Sequence, residues 1–273
     1  MDLSFSRAHD EWVVTWIFIV VAGAGVGITF GLFGAGGSAF ATPVLALLGV
    51  PPLVAVASPL PAMLPAAAMG AREYLRVGLL DRRVAKLSVL AGLPAVTAGA
   101  LLSRFVGGSS LLLLSGLMLL AVGIRMAWPV APAPTPVLAS AGRHMSDPLT
   151  PKREGGVLVV ALVAAAGLLT GLLANGGGFL LVPIFVLVLG LSTGKAAGTS
   201  LVAVAALTVP TLAAHIALGH VDWAVAGPFA LGMIPASTVG ARFGQRLSET
   251  VARRAFAVVL IVFSVCFLAL RVF

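Results

Sequence analysis

The chain has 273 residues, 60% of them hydrophobic and 10% charged, with a formal net charge of +8 and a mean hydropathy of +1.12. A soluble domain averages about 45–50% apolar and about 25% charged, so the composition excludes disorder, a collagen-like chain and most soluble enzymes; the single cysteine, Cys266, excludes a disulfide scaffold and a cysteine-based metal site. Nucleic acid would require a basic face on a soluble module, and none is legible, so the positive charge is read as a topology signal.

Met1 to Glu11 carries Asp2, Asp10 and Glu11 against Arg7 before a full-length apolar run, which is not the pattern of a cleavable signal peptide. The first helix is therefore expected to stay in the mature protein. Apolar runs near the roughly 20 residues needed to span hydrocarbon place helices at 12–33, 53–71, 84–102 and 110–127, and again at 157–174, 196–214, 223–243 and 252–270. Shorter apolar stretches, 38–49 and 179–190, follow the first helix of each set. Such a stretch rises only about 16 Å as a helix against roughly 30 Å of hydrocarbon, so it either re-enters or crosses with irregular ends. Between the sets, the segment from Trp128 to Gly156 is rich in proline and poor in apolar runs, an aqueous spacer. The expected organisation is an all-α, polytopic membrane protein: a first transmembrane repeat (1–127), a linker (128–156) and a second repeat (157–273).

The chain matches itself at an offset of about 140 positions. Gly31-Leu32-Phe33-Gly34-Ala35-Gly36-Gly37 lies against Gly171-Leu172-Leu173-Ala174-Asn175-Gly176-Gly177, and Pro43 against Pro183. Gly78 and Asp81 then match Gly219 and Asp222, and Pro94, Thr97 and Gly99 match Pro235, Thr238 and Gly240.

Charge arbitrates the short stretches, since Lys and Arg collect in cytoplasmic loops. With ten crossings, one side receives Arg72, Arg76, Arg82, Arg83, Lys86, Arg125, Arg143, Lys152, Arg153, Lys195, Arg242, Arg246, Arg253 and Arg254, and the other only Arg7, Arg104 and Arg271. If the short stretches dip and return, the split falls to 11 against 6. Ten crossings put both termini outside the cytoplasm. Five crossings per half also make the repeats inverted, and inverted repeats with interrupted helices in matching positions mark secondary transporters.

The glycine breaks, Gly34-Ala35-Gly36-Gly37-Ser38 and Ala174-Asn175-Gly176-Gly177-Gly178, free backbone groups that lipid cannot satisfy. The helix after each begins with unpaired N–H groups at a positive dipole end, which suits an anion, and Ser38 and Asn175 add side-chain donors. The plainer alternative is that the glycines only let helices approach closely. Candidate substrate contacts are Gly36, Gly37, Ser38, Asn175, Gly176, Gly177 and Gly178, with Ser58, Thr199 and Ser200 at the start of the next helix of each half. Those three hydroxyls either meet a polar substrate or bond back to their own helix.

Asp81 and Asp222 read as helix N-caps. His215 and His220 stand where the first half has Tyr74 and Leu79, and either take up a proton or anchor the loop at the interface. All nine acidic residues fall at termini, loops or helix ends, which weakens a carboxylate-based pump. No His-Glu-x-x-His pair or nucleophile-base frame is present, so no enzyme, metal site or cofactor is expected.

The second half resembles the TauE/SafE, or sulfite exporter, family. The likeness rests on Gly171-Leu172-Leu173-Ala174-Asn175-Gly176-Gly177-Gly178-Phe179 with Pro183, on Gly198-Thr199-Ser200, on Gly219-His220-Val221-Asp222-Trp223 and on Gly240-Ala241-Arg242, with a fainter copy in the first half. The resemblance implies export of small sulfur-containing anions such as sulfite, sulfonates and sulfoacetate-like compounds across a bacterial inner membrane. Alternating access around a site at the breaks is the expected mechanism, with an anion channel or a non-transporting membrane scaffold as the alternative. Efflux down the membrane potential is the simplest coupling and proton symport its rival. The partners expected are the anion and the lipid bilayer.

Overall fold

A computed structural model of the protein describes residues 3–34, 39–106, 108–127, 153–173 and 180–272. The breaks themselves, Ala35 to Ser38 and Ala174 to Phe179, and residues 128–152 of the expected linker lie outside the described residues. The described chain forms α1 (Leu3–Leu32), α2 (Ala41–Leu47), α3 (Pro52–Ala57), α4 (Leu60–Arg76), α5 (Arg82–Leu102) and α6 (Gly108–Ala127) in the first half. The second half gives α7 (Arg153–Leu172), α8 (Leu181–Leu187), α9 (Thr193–Ala217), α10 (Trp223–Gly244) and α11 (Glu249–Val272). Among the described residues, seven spans are long and apolar enough to cross a membrane, with α3 and α4 counted together, and α7 adds the apolar stretch Val160–Leu172.

Most boundaries follow the apolar runs, and the departures have physical causes. α1 begins at Leu3 and α7 at Arg153, ahead of the expected starts at residues 12 and 157, because charged residues end an apolar run without ending a helix. The expected helix 53–71 is broken into α3 and α4 at Ser58-Pro59. Pro59 has no N–H to close the helical ladder, whereas its counterpart Ser200 leaves α9 continuous over 25 residues. The glycine-aspartate turns agree between halves. Gly78 and Gly219 adopt φ of 73° and 69°, the left-handed region where glycine is favoured. Asp81 and Asp222 then cap α5 and α10, their Oδ1 accepting from Val84 N at 3.0 Å and Ala224 N at 2.8 Å.

Glycine contacts fix the helix directions. On α1, a Cβ at Gly23, Gly27 or Gly31 would strike Phe229, Met233 or Ser237 in turn, so α1 and α10 run in the same direction. Gly167 faces Ala95 and Gly171 faces Val96, so α5 and α7 are also parallel. Gly70 meets Leu201 while Tyr74 meets Gly198, which makes α4 and α9 antiparallel. Gly116 against Leu268 and Gly123 against Ile261 make α6 and α11 antiparallel too.

Exchanging the halves maps this packing onto itself: α1 on α10 becomes α7 on α5, α4 on α10 becomes α9 on α5, and the pairs α4–α9 and α6–α11 map to themselves. α4 also runs parallel to α10, since Ser237 Oγ donates to the Ala66 carbonyl at 3.2 Å and Gly244 lies on the Tyr74 hydroxyl. α1 and α4 therefore point the same way, so the chain between them must run back through the bundle. The same holds for α7 and α9, because Thr199 and Leu207 of α9 meet Asp81 and Gly92 of α5 in order. The short stretches traverse the bundle, each with an α-helix of only seven residues.

These directions gather Arg72, Arg76, Arg82, Arg83, Lys86, Arg125, Lys195, Arg242, Arg246, Arg253 and Arg254 at one end of the molecule, hereafter the basic end. The exposed Trp16 and Trp223 lie towards the opposite end, where interfacial tryptophans are common. Between the ends, Ile17, Phe18, Leu90, Leu231 and Val262 present an exposed apolar face suited to lipid, and Phe30, Phe185, Phe229, Phe256 and Phe267 fill the interior.

Candidate functional site

The first break begins at the basic end. Gly34 closes α1 at φ 72° and sits on the second turn of α9, where a Cβ would lie 2.6 Å from Ala197 Cα and 2.7 Å from Ser200 Oγ. Phe33 and Phe40, on either side of the break, pack on Phe256 and Phe263 of α11 at centroid distances of 5.0 and 4.9 Å. Tyr74, fully buried at the end of α4, donates its hydroxyl towards the last carbonyls of α1, 3.1 Å from Gly31 and 3.0 Å from Leu32. Carbonyls in the last turn of a helix look outside it for partners, and Tyr74 supplies one here.

Beside it, Glu73 is nearly buried and holds two arginines, Arg242 Nε at 3.2 Å and Arg76 at 3.0 Å. Glu73 lies inside α4 and not in a loop as its position past the apolar run had suggested, since the helix continues five residues beyond the expected end at 71. Its tie to Arg242 joins residues 169 positions apart, and no sequence signal announces it.

The second break begins at the other end, where Gly171 and Leu173 close α7. There His215, the repeat partner of Tyr74, is 1% exposed, and the Gly171 carbonyl lies beside its ring. His215 Nδ1 faces His220 Nδ1 at 3.1 Å. His215 Nε2 has no hydrogen-bond partner among the described residues. Burial pushes the pKa of His220, in the loop after α9, below the usual histidine value.

The predicted hydroxyls divide. Ser200 bonds back to the Ala197 carbonyl at 2.9 Å, the helix-internal option. Ser58 and Thr199 instead reach across the halves as a matched pair: Ser58 Oγ accepts from Asp222 N at 3.0 Å and Thr199 Oγ1 from Asp81 N at 2.9 Å. Gly36, Gly37, Ser38, Asn175, Gly176, Gly177 and Gly178 lie outside the described residues. Gly31 and Gly171, which open the two motifs, do serve close approach, packing on Ser237 and Val96.

Of the described candidates, Thr199 and Ser200 lie near the start of α9 and Ser58 meets Asp222 at the opposite end. Ser200 marks the first break on α9 and His215 the second; 15 residues at 1.5 Å each separate them by about 22 Å. The helices that follow, α2 and α8, begin after Phe40 and Leu180 with no side-chain cap. Among the described residues no cluster of three His, Cys, Asp or Glu side chains is placed to hold a metal ion.

The family model described as Sulfite exporter TauE/SafE matches residues 19–267. A "Probable membrane transporter protein" of Xylella fastidiosa (strain 9a5c) is 30% identical over 242 residues, covering 85% of this chain and 87% of the relative. The "Probable membrane transporter protein YunE" of Bacillus subtilis (strain 168) is 23% identical over 254 residues, covering 88% and 90%. No solved structure gives a significant match. With apolar helices of spanning length and a family match over nearly its whole length, the chain is an integral membrane protein that belongs to the sulfite exporter TauE/SafE family of transporters.

Proposed function

We propose that the protein exports a small sulfur-containing anion, a sulfite, sulfonate or sulfoacetate-like solute, across the bacterial inner membrane by alternating access. The observation that carries this reading is the family match over residues 19–267. Two inverted repeats of five crossings form the carrier, a reading supported by the antiparallel packing of the corresponding helices α4 with α9 and α6 with α11. The clustering of lysines and arginines supports a cytoplasmic basic end, which leaves both termini in the periplasm. One half rocks against the other.

The anion meets the breaks in turn. Its candidate contacts are Gly36, Gly37 and Ser38 with Thr199 in one set, and Asn175, Gly176, Gly177 and Gly178 with Ser58 in the other. Ser58 and Thr199 each commit a lone pair to a backbone N–H, which leaves the O–H to donate, and a donor suits an anion. Backbone N–H groups at the breaks supply positive potential without a fixed charge, so that binding stays weak enough for release.

Reconstituted vesicles test the reading with sulfite, sulfoacetate, taurine, thiosulfate and chloride. The carrier gives saturable flux of at least one sulfur anion well above chloride, lost in folded Asn175→Leu and Gly177→Leu. The close packing of α1 on α10 through glycine is a feature that a non-transporting scaffold would share. Absence of flux for all five solutes from folded protein establishes that scaffold, and flux that rises linearly with concentration establishes a channel.

A further inference from the structure

The two halves carry the same backbone plan, yet the group beside each break differs: a buried tyrosine at the basic end, and at the other a buried imidazole facing a half-buried one. We propose that His215 and His220 form a proton-binding site in which a proton and the transported anion bind together. This rests on the transport reading above and adds the coupling ion.

Nδ1 faces Nδ1 at 3.1 Å, so the neutral pair holds one N–H between the rings, given by whichever imidazole is the δ tautomer. One added proton keeps that bond and makes it charge-assisted, and it leaves an N–H on the Nε2 of both rings. A second added proton would set two N–H groups against each other. The pair thus has room for one. His215 Nε2, buried and unpartnered among the described residues, then becomes a cationic donor beside the Gly171 carbonyl, where the second break begins.

A buried cation is costly without a counter-charge, and among the described residues none is paired with His215. Arg72, Glu73 and Arg76 of α4 and Arg82, Arg83 and Lys86 of α5 lie at the far end of α9, as do Arg242 of α10 and Glu249, Arg253 and Arg254 of α11. The described side chains of α7 and all of α8 include no titratable group. Asp222 is exposed and is engaged in capping Ala224. A bound anion supplies the missing charge. By linkage the anion raises proton affinity by the factor by which the proton raises anion affinity.

Tyr74, the counterpart of His215, bonds the Gly31 and Leu32 carbonyls and takes up no proton. Proton binding is therefore confined to one side of an otherwise symmetric carrier.

Full-length protein labelled with ¹⁵N at its four histidines reports tautomer and protonation directly, with His215→Gln and His220→Leu assigning the pair. The pair should take up one proton as a unit. Its proton affinity should rise about tenfold with saturating sulfite or thiosulfate, within the usual range for coupled sites, and His220→Leu should remove that rise. At clamped potential, thiosulfate or sulfite flux should change with pH in the wild type and become flat between pH 5.5 and 7.5 in His220→Leu. Independent titration of His215 and His220, or proton affinity unmoved by both anions, overturns the proposal. Wild-type flux with no response of the histidines removes this site and leaves the carrier; a pair that binds proton and anion in a protein that moves no anion removes the carrier and leaves the site.

Discussion

Gly34 shows how a single missing side chain holds the first break in place. Its φ of 72° costs an L-residue about 1–2 kcal/mol, and a methyl group would also press on the Ala197 backbone. Gly34→Ala should therefore lower the apparent Tm in detergent clearly, as followed by tryptophan fluorescence; an unchanged Tm would show that this contact yields freely. Residue roles set by neighbours in sequence were legible beforehand. Asp81 and Asp222 read as caps because capping is decided within three positions. The destination of Ser58 and Thr199 was not legible, since each meets a backbone N–H more than a hundred residues away, and the Glu73–Arg242 tie was hidden for the same reason.

Helices pair here through glycine faces, and the faces are selective. Gly25 of α1 has open space around it, whereas Gly27, two residues on, lies against the Met233 backbone of α10. Gly25→Leu should leave thermal stability and protease resistance nearly unchanged. Gly27→Leu should force the helices apart, at a cost above the about 1–3 kcal/mol of ordinary overpacking because the obstacle is backbone. Equal behaviour of the two variants would place the α1–α10 interface elsewhere. Apolar runs located each long helix, because hydrocarbon thickness sets their length. They missed the break between α3 and α4 at Ser58-Pro59, and they overestimated α2 and α8, whose α-helices span only seven residues each. Charge, in turn, pointed to crossing short stretches, and the common direction of α1 and α4 has the same consequence.

For the molecule as a whole, the internal repeat and the basic loops are one-dimensional patterns, and from them a plan of two halves is expected. How the halves interlock was not contained there: first helices pack on fourth helices of the opposite half, which only the glycine faces reveal. The interlocking also sets the starts of the two breaks about 22 Å apart along α9. Such a layout serves a carrier only if the halves enter the membrane in opposite senses. Single cysteines at Val77 and Ala217, both exposed at the ends of α4 and α9, decide this in a background where Cys266 is replaced by serine. In intact cells, a membrane-impermeant thiol reagent should label the cysteine at 217 and spare that at 77, which reacts only after the membrane is opened. Labelling of both from the same side would mean that the halves are not inverted, and the alternating carrier proposed here would fall with that result.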